Sequence, residues 1–79
     1  MGLAATEREL AEKTARFLKA ELKRADVTYE ELAKRLEAHG LKETKASIAN
    51  KLARATVPAT FLLATLAALE MEGMRLEDL

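Results

Sequence analysis

The chain has no cysteine and no tryptophan, and only one proline, three glycines and one histidine in 79 residues. Each scarcity removes a way of building or using a small protein. Without cysteine there is no disulfide, and a lone histidine leaves no Cys/His set for a structural zinc, so the core must come from packing or from a second copy of the chain. A domain this short buries only about 60% of the surface its unfolded chain exposes, which makes self-association a real expectation. No glycine-rich run is present to cradle a phosphate. No apolar, signal-like segment follows Met1, and the longest apolar stretch, residues 58–69, is too short to span a bilayer and carries Thr60 and Thr65. These features predict a soluble, cytoplasmic protein with no membrane partner.

Catalytic groupings are missing as well. His39 stands alone beside Gly40, and the carboxylate pairs Glu30/Glu31 and Glu77/Asp78 are sequence neighbours of the kind that decorate helix ends. The chain is expected to be no enzyme and to need neither metal nor cofactor.

Charge of either sign is not in excess, with 13 Lys and Arg against 13 Asp and Glu. Zero net charge counts against a nucleic-acid binder, because phosphate neutralisation supplies most non-specific affinity. The distribution of charge points the other way. Residues 13–54 hold eleven Lys and Arg against six Asp and Glu, whereas residues 1–12 hold one against three and residues 55–79 one against four. The centre is basic and the ends are acidic, a pattern suited either to an anionic partner or to a salt-bridged helical surface.

What the sequence does contain is helical periodicity. Thr6 with Glu9, and Thr28 with Glu31, have capping-box spacing, and Val27 is placed as a hydrophobic staple against Leu32. A first helix is predicted over 6–25, with Leu10, Thr14, Phe17, Leu18, Leu22 and Ala25 on its apolar stripe and its first two turns either extending beyond the core or docking on a partner. A second is predicted over 29–39, burying Tyr29, Leu32, Ala33 and Leu36 and ending at Gly40. Thr44 caps a third over 44–54, and Thr56-Val57-Pro58 breaks the chain before a fourth over 58–71, ended by Gly73. Residues 72–79 form a tail whose Leu76 and Leu79 fold back onto the core. The fourth helix is apolar on more than one face, through Phe61, Leu62, Leu63, Leu66, Ala67, Leu69 and Met71. Such a helix is either the centre of the domain or one side of a homodimer interface. The fold class is therefore all-α, a single compact domain of four helices, five if the tail coils.

At 100° per residue, Leu41, Ile48, Leu52 and Ala55 fall together on the third helix, with Thr44 near them. Glu43, Ser47, Asn50, Lys51 and Arg54 share a neighbouring polar face roughly 100° wide. Asn matches adenine, Arg and Lys match guanine or phosphate, and Ala46 and Ala49 keep the helix slim. Lys42 and Lys45 at the helix start, and Lys34 and Arg35 on the preceding helix, are better placed for phosphates. Phe17 and Tyr29 are assigned to the core rather than to base stacking.

The order VTYEELAKRL, a turn, SIANKLARATVP and then FLLATLAALEM resembles the phage-repressor-like (Cro-type) helix-turn-helix superfamily. The run from Phe17 to Asp78, with FLKAELKR, YEELAKRL, NKLARAT and MRLED, resembles more closely a family of small bacterial domains of unknown function related to it. The resemblance implies a helix-turn-helix domain that binds double-stranded DNA, with Ser47, Asn50 and Lys51 facing bases and Thr44, Lys45 and Arg54 contacting phosphates. It also implies a homodimeric transcriptional regulator. The interval from Leu32 to Ile48 is longer than in the repressor pattern, so the third helix is expected at an altered angle. The contrasting expectation is a protein-protein interaction module that keeps the same fold and uses the apolar fourth helix and the acidic ends.

Overall fold

The computed structural model describes residue 2 and residues 4–79. Four α-helices follow in order, α1 (Glu7–Arg24), α2 (Tyr29–Glu37), α3 (Lys45–Arg54) and α4 (Ala59–Ala68), before a single 3-10 turn at Leu76–Asp78. Among the described residues there is no strand, and the fold is all-α. The radius of gyration is 12.1 Å, close to the roughly 11.6 Å that chain length sets for a compact domain.

Threonine starts three of the helices. Its hydroxyl accepts the N–H three residues on, from Glu9 to Thr6 at 3.1 Å, from Glu31 to Thr28 at 3.1 Å and from Ser47 to Thr44 at 3.0 Å. The reciprocal bond expected from the two glutamates goes elsewhere. Glu9 accepts from the Ala5 N–H at 2.8 Å, and Glu31 pairs with Arg35 at 3.1 Å. The complete box forms at α3 instead, where the Ser47 hydroxyl accepts from the Thr44 N–H.

All four helices end alike, in a left-handed residue followed by a six-residue return hydrogen bond. The left-handed residues are Asp26, Gly40, Ala55 and Glu70, and the returning bonds are Val27 to Leu22, Leu41 to Leu36, Thr56 to Lys51 and Met71 to Leu66. This is a Schellman close, and the residue after the turn is apolar in three of the four. Val27, Leu41 and Met71 thereby return to the core. The requirement corrects two predicted boundaries. α2 stops at Glu37 because Gly40 and Leu41 need the turn, and α4 stops at Ala68 because Glu70, not Gly73, takes the left-handed position.

The centre of the core is Leu18, Leu32, Leu36, Ile48, Leu52, Phe61 and Thr65, all fully buried. α2 packs on α3 and α4, and α1 packs on α3. On α1 the buried stripe is Ala15, Phe17, Leu18 and Leu22, with Leu10 and Thr14 half-buried; Ala25, expected inside, is exposed as the C-cap. The first turns of α1 do not project freely, since Arg8 donates to the Arg54 carbonyl at 3.1 Å and Ala11 packs on the core. Thr44, expected beside the buried side of α3, is exposed at its cap. On α4, Phe61, Ala64, Thr65, Leu66 and Ala68 are buried while Leu63 is 63% exposed, so one side is central and the other is bare. In the tail, Met74 and Leu79 pack on the core, but Leu76, expected to fold back, is 64% exposed.

Candidate nucleic-acid interface

α3 owes its position to two faces of different chemistry. Ile48 and Leu52 anchor it in the core against α2, which turns Ala46, Asn50, Ala53 and Arg54 toward solvent. Asn50 stands on a ridge whose neighbours at i−4 and i+3 are alanines, so nothing bulky beside it on that line prevents close approach to a surface. Among the described residues its side chain makes no hydrogen bond, leaving both amide donors and the carbonyl for a partner.

The rest of the expected face is less available. Glu43 is held against the helix start with its side chain only 11% exposed, and it gathers two of the predicted base-facing residues. The Ser47 hydroxyl donates to Glu43 Oε1 at 2.6 Å while accepting from the Thr44 N–H at 2.8 Å. Lys51 Nζ donates to the same Glu43 oxygen at 3.0 Å and lies 5.8 Å from the centre of the Phe61 ring. A hydroxyl with its proton and a lone pair committed, and an ammonium held between a carboxylate and an aromatic face, stabilise the start of α3. Ser47 and Lys51 therefore sit where the sequence places them but are engaged within the molecule.

The positive residues divide in the same way. Lys34, Lys42, Lys45 and Arg54 are exposed and, among the described residues, have no ion pair. Arg35 is different: its guanidinium pairs with Glu31 at 3.1 Å and donates to the Ala68 carbonyl at 3.1 Å, capping the C-terminal end of α4. Arg8 repeats this device at α3, paired with Glu12 at 3.2 Å and bonded to the Arg54 carbonyl. The arrangement that remains is Asn50 on a slim ridge, Lys42 and Lys45 at one end of α3, Arg54 at the other and Lys34 on α2. Such a set can bond a base edge and neutralise phosphates.

Among the described residues no cluster of His, Asp and Glu is gathered as a metal site, and no helix is long and apolar enough to cross a membrane. Residues 10–74 match the family model described as a domain of unknown function, DUF6471. No curated protein and no solved structure matches the chain.

Proposed function

The chain belongs to the DUF6471 family, and we propose that it is a bacterial DNA-binding protein, a small cytoplasmic regulator of transcription that lays α3 in the major groove of double-stranded DNA. The reading takes α2 and α3 as a helix-turn-helix of the phage-repressor-like kind. One observation carries it: Asn50 stands exposed between alanines, on a helix with exposed lysines at one end that have no ion pair among the described residues, and Arg54 at the other. In this reading Asn50 bonds an adenine edge, and Lys42, Lys45, Arg54 and Lys34 hold phosphates. Ser47 and Lys51 set the helix start, and Lys51 reaches DNA only by leaving Glu43.

A homodimer fits the same proposal. α4 carries no charged residue over Ala59–Ala68, and its bare side presents Leu63 between Ala59, Thr60 and Ala67. Pairing two copies there would present two α3 helices to half-sites about one helical turn apart.

Selection of bound fragments from a genomic DNA pool tests the proposal. A recurring motif is expected, and Asn50→Ala should lower affinity for it by roughly 5- to 150-fold, the 1–3 kcal/mol of a bidentate base contact, while leaving the melting temperature within a few degrees. Absence of salt-sensitive binding at low ionic strength would sink it.

The second reading, a protein-interaction module, is favoured by that same bare apolar side of α4 and by the acidic ends of the chain. Recovery of one stoichiometric protein partner, lost on Leu63→Lys, from a protein that binds no DNA would decide for it.

A further inference from the structure

We infer that the open groove between α1 and the C-terminal half of α3 is a second contact for the DNA phosphate backbone, so that α3 is flanked by phosphate-holding surfaces at both ends. The inference rests on the DNA-binding reading and adds a surface to it.

The groove has a volume of about 320 Å³, with Arg8, Glu12, Arg16 and Lys19 of α1 along one side and Leu52 and Ala53 of α3 on the other. Its single carboxylate is already claimed, since Glu12 pairs with Arg8 at 3.2 Å. Arg16 and Lys19 are exposed and, among the described residues, have no ion pair. Lys23 continues their line one turn further along α1, also exposed and, among the described residues, without an ion pair. These three residues span about 10 Å of helix, and a row of cations fits a linear polyanion better than it fits one small anion.

The carbonyl end of α3 would by itself repel a phosphate, because a helix carries partial negative charge there. Arg8 covers that end through its hydrogen bond to the Arg54 carbonyl at 3.1 Å. The side chain of Arg54 is exposed at the same end, and Ala53 is both a wall of the groove and part of the Asn50 ridge. The groove is thus continuous with the candidate reading surface. α3 is about 15 Å long and the major groove about 12 Å wide, so its two ends can address the two phosphate walls, Lys42 and Lys45 one strand, the α1 groove the other.

The test is equilibrium binding to a selected site and to a random duplex across a salt series, for the wild type, for Arg16→Gln/Lys19→Gln and for Lys42→Gln/Lys45→Gln. In the α1 variant the slope of log affinity against log salt should become shallower by about 1 to 2, at roughly 0.9 per phosphate contact. Affinity for both duplexes should fall by the same factor, preserving their ratio. Thermal melting checks that the exposed substitutions leave the fold intact. If the α1 variant keeps the wild-type slope while the Lys42/Lys45 variant loses contacts, DNA binding stands and this inference falls. A changed site-to-random ratio would also overturn it, because it would mean that α1 reads bases. A wild type with no salt-dependent DNA binding removes both readings together.

Discussion

Glu43→Gln should weaken the fold and strengthen DNA binding at once. The Glu43 carboxylate is 11% exposed and receives the Lys51 ammonium at 3.0 Å and the Ser47 hydroxyl at 2.6 Å. A hydrogen bond to a charged group contributes about 1.5–3 kcal/mol. The amide keeps an acceptor for Ser47, and Lys51 is partly exposed, so the expected cost lies at or just below the lower part of that range, about 1–2 kcal/mol. For a domain of this size each kcal/mol moves the melting midpoint by roughly 4–8 °C, so a fall of about 5–15 °C should appear in a circular-dichroism melt. The same change removes a negative charge beside Ser47 and releases Lys51. Affinity for a random duplex should rise, and the salt slope should steepen by about 0.9, the increment for one further phosphate contact. An unchanged slope would refute the idea that Glu43 withholds Lys51, and an unchanged melt would refute its role at the start of α3.

Thr65 is fully buried, and among the described residues its Oγ1 has no hydrogen-bond partner; Thr65→Val should therefore raise stability by about 1 kcal/mol in urea denaturation, and a loss would show that the hydroxyl is bonded after all. Glu70 holds a left-handed φ of 60° on an exposed turn, so Glu70→Gly should stabilise by up to about 1 kcal/mol, with no change in DNA affinity. Leu63→Lys, at a position 63% exposed, should change the stability of the single domain by no more than about 0.5 kcal/mol yet halve the mass measured by light scattering; a wild type that is monomeric at working concentration would remove the dimer.

The helix starts were legible because their chemistry is local. A threonine that accepts the N–H three residues on needs no partner from elsewhere in the chain, and Thr6, Thr28 and Thr44 all act as N-caps, although the boxes expected with Glu9 and Glu31 do not close. The ends were legible only where a glycine marked one. Asp26, Ala55 and Glu70 adopt the left-handed turn without glycine, at roughly 1–2 kcal/mol each, with the chain after Asp26 and Glu70 returning Val27 and Met71 to the core. No local residue pattern announces that trade. The candidate face shows the same division. Periodicity alone brings Ser47, Asn50, Lys51 and Arg54 to the solvent side of α3, but it is blind to Glu43 folding over the helix start and to Phe61 arriving from α4 beneath Lys51. The α1 cations escape a reading of the sequence for a related reason: Arg16 and Lys19 look like an ordinary solvated face until α1 is packed against α3.

By itself, then, the sequence determined the all-helical class, three of the four helix starts by threonine, the apolar stripes and the concentration of positive charge between residues 13 and 54. These are properties of neighbours within one or two helical turns, where spacing and chemistry suffice. Only the tertiary structure decided which cations are spent inside the molecule and which remain for a partner. Arg35 caps α4, Arg8 caps α3 and Lys51 is held by Glu43, whereas Lys42, Lys45 and Arg54 stay accessible and, among the described residues, unpaired. The physical reason is that an ion pair or a capping bond across helices depends on how the helices pack, and formal charge is the same whether a side chain is committed or not.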